Sequence, residues 1–182
     1  NLYKKIDQNL NQNGNLSFTS NILSRQHSTN NFINLNYNEL RFSSLSKIYG
    51  IGFNSNYEIL LKNLNSKNKN TTYKNKSSQY FSGIFQYNSS IPLIKANEKN
   101  QKTIIPKISL KLAPNHTKND RNNSEKIDLA NLYSINRLSG KDSTEGGASI
   151  SYGNEYSIID KSESRETFNL QLANNLRLKK NE

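Results

Sequence analysis

The 182-residue sequence has no cysteine, no methionine and no tryptophan, only three prolines and eight glycines, and a hydrophobic fraction of 32% with a mean hydropathy of -0.87. Zero cysteine removes disulfide frameworks, thiol catalysis and thiolate metal sites. Without methionine, residue 1 is not expected to be a translation start, so a fragment or processed product is expected. No run approaches the ~18 apolar residues of a membrane helix, and no basic-then-apolar leader opens the chain. The two histidines, His27 and His116, stand apart in polar connectors. No enzyme activity, cofactor or metal site is expected from this inventory. An ordinary globule carries roughly 45–50% apolar residues, so a conventional core is not expected either.

What the chain has is polarity: 32 asparagines, 24 serines, and 25 Lys plus Arg against 14 Asp plus Glu, for a net charge of +11. Low hydrophobicity with high charge also marks disordered chains, but here the apolar residues recur with period two, the strand signal. Five segments alternate clearly: 47–63, 79–95, 102–113, 147–159 and 167–179. Two more, 15–25 and 31–43, alternate weakly. In 31–43 the apolar parity passes from Ile33, Leu35 and Tyr37 to Leu40 and Phe42, which predicts a β-bulge. Gly50 and Gly52 are read as alternating within a strand. Leu60, Tyr80 and Ile84 are apolar residues on an otherwise polar parity.

The expected fold is all-β, an antiparallel meander of about seven long strands forming part of a large transmembrane β-barrel. Strands of about 12 to 18 residues exceed the globular mode of ~5–6 but suit a tilted crossing of a bilayer. Connectors alternate in length as well: 65–77 is long, 96–101 short, 114–146 very long and 161–166 short. Outer-membrane barrels pair short periplasmic turns with longer outside loops, which would put 65–77 and 114–146 outside the cell. The apolar parity suits lipid and the polar parity a watery lumen. Candidate lumen-lining residues are Asn54, Glu58, Lys107, Lys111, Glu155, Gln171 and Arg177. A porin, a receptor barrel or a soluble surface-binding β-sheet protein with one wet face are the alternatives.

The positive charge does not point to nucleic acid, because the lysines are dispersed or sit in loops without an aromatic stacking platform. Basic loops outside a Gram-negative cell would instead meet lipopolysaccharide (LPS) phosphates; the alternative is that loops of this composition are Lys-rich whatever they touch. In the connector 114–146, Asp120, Glu125, Asp128, Asp142 and Glu145 lack the spacing of a calcium loop, and Asn115–Lys126 is expected to be solvated. Its second part carries Ile127, Leu129, Leu132, Tyr133, Ile135 and Leu138, enough apolar surface to fold back on the barrel. Arg137 would then pair with Asp142 or with Glu155.

A resemblance attaches to three stretches. Ser90-Ile91-Pro92-Leu93-Ile94 is followed by Ile105-Pro106-Lys107-Ile108-Ser109-Leu110-Lys111-Leu112-Ala113-Pro114. Then come Leu132-Tyr133-Ser134-Ile135-Asn136-Arg137-Leu138-Ser139-Gly140-Lys141-Asp142 and Glu145-Gly146-Gly147. This succession resembles the central barrel of the LptD family of LPS-assembly proteins, with Arg137, Ser139, Gly140 and Asp142 matching the family's connector motif. The resemblance implies an outer-membrane translocon that delivers LPS to the outer leaflet. It also implies a periplasmic jelly-roll domain, a lipoprotein plug and periplasmic LPS-bridge proteins as partners.

Overall fold

The computed structural model describes residues 2–10, 13–69, 72, 74–114, 117–120, 126–138, 140 and 142–178. Among them there is no helix. The strands are β1 (Leu2–Asn9), β2 (Gly14–Ser28), β3 (Asn31–Ser44), β4 (Lys47–Tyr49), β5 (Phe53–Lys69), β6 (Lys76–Ser90), β7 (Leu93–Ala96), β8 (Asn100–Ala113), β9 (Lys118–Asn119), β10 (Ser143–Thr144), β11 (Gly147–Asp160) and β12 (Arg165–Arg177). Ten of them form one sheet in the order β1-β2-β3-β5-β6-β8-β11-β12, with β4 beside β5 and β7 beside β8. The small β9–β10 ribbon lies inside the connector 114–146. Every neighbouring pair is antiparallel, as a meander requires.

Several boundaries differ from the sequence reading. Segment 47–63 is two strands, because Gly50 and Gly52 lie in the hairpin turn and not within a strand. Gly52 adopts a φ of 78° and donates its N–H to Tyr49 O at 2.8 Å, a backbone state that glycine reaches without steric cost. Segment 79–95 breaks at Ile91-Pro92, where proline offers no amide to the ladder. The connector expected over 65–77 is shorter, since β5 runs to Lys69 and β6 begins at Lys76. An eighth strand of the meander, β1, is added at the front.

The bulge expected within 31–43 is absent. From Phe32 to Ser43, β3 keeps one register with β5. The parity changes because the strand packs apolar side chains on both faces: Leu35 and Tyr37 join Leu64 in a buried cluster with Leu23, Ile33 and Tyr80. Register shifts occur instead at Gln26/Ser28 and at Ile158/Ile159.

Residues opposed in an antiparallel ladder share a face, so two adjacent rows define the sheet. One runs Leu16, Phe42, Ile59, Phe85, Leu112, Ala148. The next, on the other face, runs Ser43, Glu58, Gln86, Lys111, Ser149, Arg177. Exposure is inverted relative to a soluble sandwich. Ile59, Phe85 and Leu112 are 37%, 37% and 43% exposed, whereas Gln86, Lys111 and Ser149 are 0%, 3% and 3% exposed. The apolar face carries a chain of aromatic contacts, Phe42 to Tyr57 at 5.7 Å and Tyr57 to Phe85 at 6.4 Å between ring centroids. The polar face is covered by the chain's own connector.

Candidate functional site

The connector 114–146 is pinned first at Asp120. Its carboxylate accepts from Ser66 Oγ at 2.5 Å and Ser78 Oγ at 3.1 Å and pairs with Lys76 Nζ at 2.9 Å, while its carbonyl accepts the Lys74 N–H at 2.8 Å. Asp120 is 1% exposed, so this residue departs from the solvated stretch expected over 115–126; positions 115, 116 and 121–125, with His116 and Glu125, lie outside the described residues. The acidic side chains among the described residues do not converge on one site. Asp128 accepts the N–H groups of Ala130 and Asn131 at 3.0 and 3.1 Å, closing a local turn. No cluster of three or more metal-ligating side chains occurs among the described residues.

Beyond Asp128 the connector folds onto the polar face. Ile135 packs with Leu60, Ile84 and Ala113, so the apolar exceptions Leu60 and Ile84 are the seat of the connector. Burying a side chain of that size contributes about 1.5–3 kcal/mol. Around this seat, strand side chains donate to connector carbonyls. Lys62 Nζ reaches Gly140 O at 3.0 Å and Ser143 O at 2.9 Å. Gln86 Nε2 reaches Tyr133 O at 2.6 Å, Lys111 Nζ reaches Ser134 O at 2.8 Å, and the Tyr80 hydroxyl reaches Asp142 O at 3.1 Å. Because the acceptors are main-chain atoms, this face holds the connector by its path more than by its side chains.

Arg137 is the exception, and it is 1% exposed. Its Nε donates to Glu145 Oε2 at 2.7 Å, its Nη2 to Glu145 Oε1, and its remaining donors reach Ser149 Oγ at 2.9 Å and Asn175 Oδ1 at 2.6 Å. The carboxylate partner is therefore Glu145, and not Asp142 or Glu155 as the sequence suggested. Glu145 follows the β10 strand, which the sequence did not reveal, and β9–β10 pairing carries it under Arg137. Lys111 Nζ at 3.3 Å and Arg177 Nη2 at 3.4 Å complete the group. Burial works against ionisation of Glu145, but the Arg137 hydrogen bonds and the Lys111 charge outweigh it and hold the carboxyl below its ordinary value of 4.5. Burial alone pushes the Tyr133 phenol above its ordinary 10.0.

The expected site residues distribute as follows. Asn54, Glu58, Lys107, Lys111, Glu155, Gln171 and Arg177 all fall on the polar face by register. Lys107 pairs with Glu155 at 2.5 Å, with Gln171 opposite Glu155, and Glu58 pairs with Arg41 at 2.5 Å. Only Lys111 and Arg177 join the Arg137–Glu145 group. Of the connector motif, Arg137 and Asp142 are buried, Gly140 contributes its carbonyl, and Ser139 lies outside the described residues. Lys62, Tyr80 and Gln86 were not singled out as a site, and Asp120 was weighed only among the acidic residues of the connector. Tyr80's signal was its misplaced parity; Lys62 and Gln86 looked like any other solvated polar residue. A cavity of about 640 Å³ remains between Tyr37, Arg41 and Glu58 of the strands and Tyr133 and Asn136 of the connector, within the usual range for ligand sites of about 300–1,000 Å³.

Comparison with known proteins yields a family match. The sequence matches the family described as LptD, LPS transport system D, over residues 3–182. No curated protein matches the chain.

Proposed function

Because the chain belongs to the LptD family of LPS transport, we propose that its sheet is a sector of an outer-membrane β-barrel through which LPS reaches the outer leaflet. The observation that carries this reading is the inverted sheet: apolar rows exposed, polar rows buried under the connector. An apolar face suits the hydrocarbon of a bilayer, and closed barrels alternate lipid-facing with lumen-facing residues. The polar face, with Asn54, Glu58, Lys107, Lys111, Glu155, Gln171 and Arg177, would carry the sugar and phosphate head group. The acyl chains would leave sideways into lipid, so that neither part meets the wrong solvent.

In this reading the connectors 70–75 and 114–146, at one end of the sheet, face outside, and the turns near 50–52, 97–99 and 161–164 face the periplasm. The connector 126–146 narrows the passage. A lipoprotein plug and periplasmic LPS-bridge proteins are the partners that family membership suggests. The test is photo-crosslinking in the full-length protein in cells, with the reactive group placed at Asn56 on the polar face or at Ile59 on the apolar face. LPS adducts through the head group are expected at Asn56. Their absence at Asn56, in cells where the labelled protein still supports LPS display at the surface, would overturn the transport role of this face.

A further inference from the structure

Three cations from three elements converge on one carboxylate. Arg137 of the connector grips Glu145 through two nitrogens, while Lys111 of β8 and Arg177 of β12 approach it at 3.3 and 3.4 Å. Lys111 and Arg177 stand at one level of the ladder, on either side of Ser149. With strands spaced ~4.8 Å apart, their backbones lie roughly 10 Å from each other. Of the other carboxylates of this face, Glu155 pairs with Lys107 and Glu58 with Arg41, while Glu39 stands farther off, opposite Lys62 in the β3–β5 ladder. Charge-assisted hydrogen bonds normally measure about 2.7–2.9 Å. The Arg137 Nε contact reaches that distance, and the two strand cations do not. One negative charge, taken up by Arg137, is left to serve two strand cations that it holds only loosely, and Lys111 otherwise finds only a neutral acceptor, Ser134 O at 2.8 Å.

We propose that Lys111, Arg177 and the Ser149 hydroxyl between them form a cradle for a phosphate group, and that Glu145 is its internal substitute. A phosphate monoester carries a charge of about -1.5 to -2 at neutral pH and three acceptor oxygens. It matches the two strand cations in a way that one shared carboxylate does not. When phosphate enters, Glu145 leaves with Arg137, its partner on the same connector, and no buried charge is stranded. The connector is therefore displaced by ligand, as an autoinhibitory segment is. The chemistry is shared by a lipid-borne phosphate and by free phosphate. The lipid-borne case rests on the transport reading above; the cradle itself does not.

The full-length protein in detergent micelles tests this with inorganic phosphate as probe, read by equilibrium binding and by hydrogen exchange of connector amides 126–138. Glu145→Gln removes the competing charge, and phosphate affinity is expected to rise by about ten-fold or more, the scale of one lost unit of repulsion. In the unaltered protein, phosphate is expected to accelerate exchange of the connector; in Lys111→Gln/Arg177→Gln that acceleration is expected to disappear. Unchanged affinity in a folded Glu145→Gln protein overturns the cradle. So does acceleration that persists in the double variant, a readout that remains should Glu145→Gln fail to fold. A diphosphorylated glycolipid binding at least ten-fold tighter than inorganic phosphate, with the difference lost in the double variant, identifies a lipid source; equal affinity identifies free phosphate. Phosphate binding without LPS adducts at Asn56 leaves the cradle standing and removes the transport reading, and the reverse pattern does the opposite.

Discussion

Glu145 shows how much one buried carboxylate can decide. It is ionised in a place where burial opposes ionisation, because Arg137 and Lys111 need it. A carboxyl held below its ordinary value stabilises the folded form above that value and loses the contribution as pH falls through the lowered one. We therefore predict that protection of the connector against hydrogen exchange, corrected for intrinsic rates, is constant from pH 7 to pH 5 and is lost only on acidification below 4.5. Loss already between pH 7 and 5 would contradict the assignment. Replacing Glu145 by Gln leaves Arg137 buried without its counter-charge, a defect that costs about 3–5 kcal/mol, expected as undocking of the connector with the sheet intact. Gly153 gives a second, steric prediction at this scale. A β-carbon there would lie 2.6 Å from the Tyr133 hydroxyl and 2.5 Å from Leu172 O, so Gly153→Ala should destabilise by about 1–3 kcal/mol. Thermal melts of the full-length protein check it; an unchanged transition together with unchanged connector exchange would dispose of it.

At the scale of elements, the sequence revealed parity well and interruptions poorly, for one physical reason. The β6–β8 ladder ends at Ser90 opposite Lys107, and the β7–β8 ladder resumes at Leu93 opposite Ile104. Both obey one register, so alternation runs unbroken through a gap that hydrogen bonding does not cross. Where β4 continues the line of β3 along β5 the register slips by one residue instead, from Ser43 opposite Glu58 to Lys47 opposite Ser55. β1 escaped notice because only Leu2 and Ile6 mark its period. Conversely, the irregularities that parity did display were informative: Leu60 and Ile84 seat the connector, and Ile33, Leu35 and Tyr37 form a second cluster. Of the central ion group, Arg137 was legible in a motif and Lys111 and Arg177 on the polar parity. The role of Glu145 as their common partner was not, because nothing in sequence says that two-residue strands at Lys118–Asn119 and Ser143–Thr144 pair. The gap itself yields a prediction. Pro92 and Pro106 supply no amides around Ile91, whose N–H reaches Pro106 O at a long 3.2 Å, so this seam should be weaker than the rest of the hairpin. Hydrogen exchange in Leu93–Ala96 should be faster than in Phe85–Ser90 by an order of magnitude or more; equal protection would show that the seam is not weak.

For the whole molecule, the inverted sheet makes opposite demands on neighbouring residues. Ile59 belongs to the apolar row that crosses six strands, and Asn56 to the polar row Asn56, Asn88, Ser109, Ser151, Asn175. The two lie three positions apart in β5, close enough to share a depth but aimed at different media if the sheet spans a bilayer. An arginine on the lipid side of a barrel costs about 2–4 kcal/mol near the midplane, whereas a polar-to-charged change on a hydrated face usually stays within about 0.5 kcal/mol. A soluble sheet would reverse the ranking for a different reason: its exposed face would accept arginine at Ile59, and its buried face would reject it at Asn56. We predict that Ile59→Arg lowers the stability of the full-length protein in lipid vesicles by about 2–4 kcal/mol, with Asn56→Arg close to neutral. Urea titration in vesicles measures both. The edges sharpen the test, because β1 and β12 each pair on one side only among the described residues, and open edges invite association with other chains. The isolated 182-residue chain is accordingly expected to need detergent or further strands to stay dispersed. A monodisperse, cooperatively folded monomer in plain buffer, joined to a neutral Ile59→Arg, would remove the bilayer from the account of this sheet.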